Sequence, residues 1–168
     1  PVAVIGAGIA GLSVARALSN AGAEVTVYDR GLMAGGGASG TPAGLLQPRP
    51  LSDGSPIAAF FHAAFDFAAR LYDTLDGAWI SRGVLVLGRD VTDGARYQGL
   101  PGAEALDVAG CPTVSGVQVD DGGTWFPAGG ALDTRKVCAA LGDGVRTRFG
   151  NGITHLARQK DGWRLHLD

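Results

Sequence analysis

The chain has 168 residues, 46% of them hydrophobic and 18% charged, with a formal net charge of −2. That is enough apolar side chain for one sizeable core, and it excludes an intrinsically disordered chain. The near-neutral charge gives no strong pull on nucleic acid and leaves room only for a local basic patch, while 28 glycines without any period exclude collagen and belong at turns.

Two cysteines, Cys111 and Cys138, form no CxxC and have no metal-ligand spacing. They read as reduced thiols of a cytoplasmic protein, and no metal site is expected. No apolar run approaches the roughly 18 residues of a membrane span, so no membrane association is expected. The sequence given enters a strand at once, and no signal peptide is expected within it.

Residues 2–5, all apolar, predict a strand buried on both faces. Gly6, Gly8 and Gly11 follow with GxGxxG spacing, Ile9 and Ala10 lying between the last two. Ile9, Leu12, Ala15 and Leu18 recur at helical spacing, and residues 20–22 stop the helix. A second strand, 24–29, ends in Asp29. Each part has a task in binding a dinucleotide. Gly6 allows the tight turn, and Gly8 lets a pyrophosphate reach backbone N–H groups at the positive end of the helix. Gly11 lets helix and strand pack closely, and Asp29 accepts hydrogen bonds from ribose hydroxyls. A carboxylate there repels a 2′-phosphate, which disfavours NADP. NAD and FAD both stay open, and Arg30 does not separate them.

A second glycine-rich stretch, GGGASGTPAGLLQP at 35–48, stands where a plain NAD-binding unit would start its next helix. Ser39-Gly40, Pro42 and Gly44 predict an extended loop, and small residues let backbone lie flat against a ring system. No GK[ST] follows, so it is not a P-loop. Next, Ser55 and Pro56 start a helix predicted over 55–75. Phe61, Phe65, Ala68, Tyr72 and Leu75 form its core stripe. His62, Asp66, Arg70 and Asp73 share the other face and read as a solvated face with i,i+4 pairs rather than a catalytic cluster.

Residues 83–90 predict a buried strand after the turn at Asp76-Gly77, and 91–116 carry only weak helix and turn signals. Residues 116–127 predict strand, turn and strand, with Asp121-Gly122-Gly123 as the turn. Trp125 and Phe126 read as core in preference to a platform for a stacked base. A short helix ends at Gly142, and the segments around 146–158 and 162–168 read as strands. His155 and His166 are isolated there and read as structural. No nucleophile–base–acid order and no paired carboxylates stand out, so no catalytic residue is named.

VIGAGIAGLSVA, VYDR and GGGASGTPAG together resemble the D-amino-acid-oxidase-like family of FAD-dependent amine oxidases. GASGTPAGLLQPRP, FFHAAFDFAARLYDTL and GGTWFPAGGALDTRKV are similar to the oxidase half of the bifunctional enzymes that make 5-methylaminomethyl-2-thiouridine in tRNA, with Thr41 where those typically have Asn. The resemblance implies an α/β fold: a Rossmann-like FAD-binding domain with an inserted α+β substrate domain, both incomplete. It implies FAD-binding segments at 1–76 and 132–168 and a substrate-domain segment at 77–131. It implies that Ala38, Ser39, Ala43, Gly44 and Leu45 face the flavin, and that the backbone of Ile153 meets the adenine.

The implied reaction removes a carboxymethyl group from the modified wobble uridine of tRNA. Hydride passes from a carbon beside nitrogen to the flavin, the imine hydrolyses, and oxygen reoxidises the flavin. A fused methyltransferase domain is implied in the parent protein. The resemblance also implies that the chain is the N-terminal part of such an oxidase, unable to turn over alone, with the substrate-holding groups beyond it. The alternatives are an oxidase of a small amine such as glycine or sarcosine, an NAD-dependent dehydrogenase, and a non-catalytic nucleotide- or partner-binding module.

Overall fold

The computed structural model describes residues 1–51, 53–88 and 96–168. In chain order its regular elements are β1 (Val2–Ile5), α1 (Ile9–Asn20), β2 (Val25–Asp29), β3 (Gly44–Leu46), α2 (Pro56–Asp73), β4 (Trp79–Val86), β5 (Glu104–Leu106), α3 (Cys111–Ser115), β6 (Gly123–Leu132), α4 (Thr134–Gly142), β7 (Arg146–Phe149), β8 (Ile153–Gln159) and β9 (Gly162–Leu167). The fold is mixed α/β. It divides into two compact units, one made of Pro1–Gly44 and Asp133–Asp168, the other of Leu45–Leu132. Helix α2 belongs to the second unit.

In the first unit β1, β2 and β7 form a parallel sheet in the order β1-β2-β7, with Val4 opposite Val27 and Val27 opposite Thr147. Parallel neighbours need a crossover, and α1 supplies the one between β1 and β2. Leu12 and Ala15 of α1 and Val137 and Leu141 of α4 are buried, as is Val27 beneath them, each large one contributing roughly 1.5–3 kcal/mol. Helix α1 ends where the sequence says: Gly22, at φ +84°, donates to the Ser19 carbonyl and Ala23 to that of Leu18.

One expectation fails here. Strand β1 is not buried on both faces, for Val2 is 38% and Ile5 52% exposed. It lies at the edge of the sheet, paired among the described residues only with β2. An apolar run states what a strand would bury, and its neighbours decide what is covered.

In the second unit β3, β6 and β4 form a sheet in that order, and β5 adds to β6. Phe65 and Tyr72 of the expected α2 stripe are buried, and Phe61, Ala68 and Leu75 are half-buried. Strand β4 begins at Trp79, ahead of the expected 83, and 89–90 lie outside the described residues. The hairpin expected over 116–127 is also corrected. Only its second limb is a strand, and β6 pairs with β4 and with the three-residue β5. The pairing slips opposite Arg82–Val84. There Gly83, at φ +88°, lies under the Trp125 indole, which a Cβ would overlap. Phe126 is 1% exposed. Both aromatics are therefore packed rather than offered to a base.

Candidate functional site

The turn after β1 depends on glycine. Gly6 sits at φ +102° with its N–H on the Tyr28 carbonyl at 2.8 Å. A Cβ on Gly11 would overlap the Gly6 carbonyl oxygen, so the first turn of α1 presses on the loop before it. Gly8 is the N-cap of α1 and has no side chain to cap with. The missing cap comes from the second loop, where the Ser39 hydroxyl accepts the Ile9 N–H at 3.1 Å. Gly35 donates to the Ala7 carbonyl at 2.8 Å. The two glycine loops are thus bonded to each other at the N-terminus of α1, the end of a helix that favours negative charge.

Asp29 ties the same region together. One carboxylate oxygen accepts from Ala7 N–H and the other from Gly31 N–H, both at 2.6 Å. A carboxylate offers about four lone-pair sites, so acceptor capacity remains for hydroxyl donors.

Beside these groups lies a cavity of about 540 Å³ at the carboxyl ends of the parallel strands, where open α/β sheets bind ligands. Ile5 and Gly6 form one wall, Tyr28 to Gly31 the floor, and Gly36 and Gly37 of the second loop a rim. Residues 151–154 and Asp168 form the far wall. That wall is fixed by Asn151 donating to the Asp29 carbonyl at 3.1 Å and Asp168 to that of Gly152 at 3.0 Å.

Of the expected site residues, Gly6, Asp29, Arg30 and Ile153 line this cavity. Gly8, Ile9, Ala10 and Gly11 form the adjoining start of α1. Ala38 and Ser39 lie in a short 3-10 turn, Ala38–Gly40, joined to α1 through the Ser39 bond. Ala43 and Gly44 do not line the cavity. Leu45 opens the second unit, 62% exposed, and is not brought to the cavity wall. Sequence reasoning missed Tyr28, Asn151, Gly152 and Asp168. The Asn-Gly pair directly after a strand was the available signal, since it marks a loop at the binding end of the sheet.

The other candidates resolve differently. Asp66, Arg70 and Asp73 of α2 are exposed. Asp73 is held from β4 rather than along its own helix: it accepts from Arg82 Nη1 at 2.5 Å and from Trp79 Nε1 at 2.9 Å. His62 is half-buried, its Nε2 out of solvent and unpaired. His155 and His166 face each other across the β8–β9 hairpin, ring centres 5.4 Å apart and planes tilted by 48°. Among the described residues no three His, Cys, Asp or Glu gather as a metal site, and no helix is long and apolar enough to cross a membrane.

Residues 1–168 match the profile of the FAD dependent oxidoreductase family over their whole length. The chain belongs to that family. FAD is the family's cofactor, and the cavity and loops have the chemistry to fit it: the space over Gly6 and Gly37 is open, and a helix N-terminus and a carboxylate with spare acceptor capacity stand beside it. Two curated relatives are described as tRNA 5-methylaminomethyl-2-thiouridine biosynthesis bifunctional protein MnmC. That of Magnetococcus marinus is 35% identical over 98% of this chain, and that of Ralstonia nicotianae 32% over 96%. The chain spans 27% of the length of each. Among solved structures, glycine oxidase from Geobacillus kaustophilus superposes with a TM-score of 0.74 at 18% identity, covering 98% of this chain and 50% of its own. L-amino acid deaminase from Proteus vulgaris gives 0.72 at 16%, covering 96% and 44%. These likenesses show that the fold is shared.

Proposed function

We propose that the first unit holds FAD and that the protein is an amine oxidase acting on a C–N bond. In this reading the unit is a Rossmann-like FAD-binding domain, and the second unit is part of an inserted substrate domain. The pyrophosphate crosses Gly6, Gly8 and Gly11 at the start of α1, with Ile9 and Ala10 in the same turn. Asp29 accepts from the ribose, Arg30 flanks the adenosine, and Ile153 meets the adenine. Ala38, Ser39, Ala43, Gly44 and Leu45 run along the flavin. When bound, FAD supplies the acceptor for a hydride from the carbon beside the substrate nitrogen. The chain's own part is to bind and orient it, and no side chain here is assigned a proton-transfer role. The observation that carries the reading is the bonding of the second loop to the first through Ser39 and Gly35.

The substrate proposed is the carboxymethylaminomethyl group of a tRNA wobble uridine, which would put the protein in the cytoplasm, in a parent with a fused methyltransferase domain. Support comes from relatives of 30–35% identity whose names state a role in tRNA 5-methylaminomethyl-2-thiouridine biosynthesis and call them bifunctional. A second reading, oxidation of a small amino acid, draws on the likeness to glycine oxidase at 18% identity. The test is anaerobic bleaching of the FAD-loaded full-length parent protein. Bleaching by tRNA bearing the modified uridine, and not by glycine or sarcosine, is expected. The reverse pattern would replace the tRNA substrate with a free amino acid.

A further inference from the structure

We infer that Thr134, on the inner face of α4, is a positioning residue for the flavin-facing loop. Its hydroxyl fixes the far stem of residues 35–44 so that the loop is set before cofactor arrives. The inference rests on the FAD reading above.

Thr134 Oγ1 donates to the Thr41 carbonyl at 2.6 Å, across 93 residues of sequence. Thr134 is 4% exposed, so its hydroxyl has little access to water. The loop then passes directly over it: a Cβ on Gly44 would overlap the Thr134 methyl. One turn along the same face, Cys138 is fully buried, and its Sγ stands 3.4 Å from where a Gly35 Cβ would lie. Helix α4 therefore grips the loop near both ends, at Gly35 and at Thr41–Gly44. The helix is itself fixed at its start, where the Asp133 carboxylate accepts from Lys136 N–H at 3.1 Å. A glycine-rich loop loses much conformational entropy on ordering, and a loop ordered in advance spares the cofactor that cost.

Thr134→Val keeps the shape and removes the donor, leaving the Thr41 carbonyl without this partner. Thr134→Ser keeps the donor and removes the methyl. Two readouts apply to the full chain: FAD affinity, and amide hydrogen exchange of residues 35–44 without flavin. Thr134→Val is expected to weaken FAD binding about tenfold, the scale of one lost buried hydrogen bond, and to speed exchange in the loop. Thr134→Ser is expected to stay within about twofold of the parent in affinity. Should Thr134→Val fail to fold, the Ser variant still decides, because a purely packing role predicts that loss of the methyl weakens binding. Unchanged loop exchange in the Val variant, or equal losses in Val and Ser, would overturn the assignment. If the parent chain binds no FAD, the FAD reading fails, while the exchange comparison still tests the hold of Thr134 on the loop.

Discussion

Both oxygens of Asp29 are engaged by backbone amides at 2.6 Å, which makes this side chain a structural tie as well as a candidate ribose ligand. Asp29→Ala should cost about 1–3 kcal/mol of stability by stranding the Ala7 and Gly31 donors. Urea denaturation measures it, and a variant as stable as the parent would mean that water replaces the carboxylate at no cost. Cys138 makes a pH prediction. Burial pushes its thiol above the ordinary 9.0, with a smaller opposing effect of the Ser39 hydrogen bond. The folded chain then holds this proton more tightly than the unfolded one. The contribution to stability is whole below the unfolded pKa and is lost as pH rises through the folded pKa. Stability should therefore fall above about pH 9, and Cys138→Ala should flatten that slope. A slope unchanged by the substitution would assign it to other groups.

At the scale of elements, short-range signals made α1, α2 and α4 legible. Helix α2 has its Ser55 cap, which accepts the Ala58 N–H at 3.1 Å, and its Pro56 at the first position. Ser55→Ala should cost about 1 kcal/mol in a thermal or urea melt. Strands β3 and β5 were not legible, because three residues carry no period, and they exist only through pairing with β6. The same holds at the site. Gly6, Gly8, Gly11 and Asp29 announce themselves by local geometry. The far wall at 151–154 and Asp168 is brought to them by β7 pairing beside β2 and by Asn151 donating to the Asp29 carbonyl, contacts over more than a hundred residues; the Asn-Gly pair marks a loop there but not its partner. The Ser39 cap was missed for the same reason, since the helix it serves lies 30 residues earlier.

For the molecule as a whole, the first unit is discontinuous, its sheet completed only when β7 returns after the second unit. The first glycine loop, the parallel strand ends, the far wall and the second loop as far as Gly44 fall within that unit, and of the proposed cofactor-binding residues Leu45 alone lies in the second. A ligand that binds only the folded unit stabilises it by mass action, by about 2.7 kcal/mol at a hundredfold excess over its Kd. The central claim is that the cavity takes the adenosine half of FAD. The most direct test is a calorimetric titration of the chain with FAD, repeated with ADP present, beside a titration with FMN, which lacks the adenosine. The account predicts that FAD binds, that ADP competes with it, and that FMN does not bind. FMN binding as tightly as FAD, or FAD binding untouched by ADP, would contradict it.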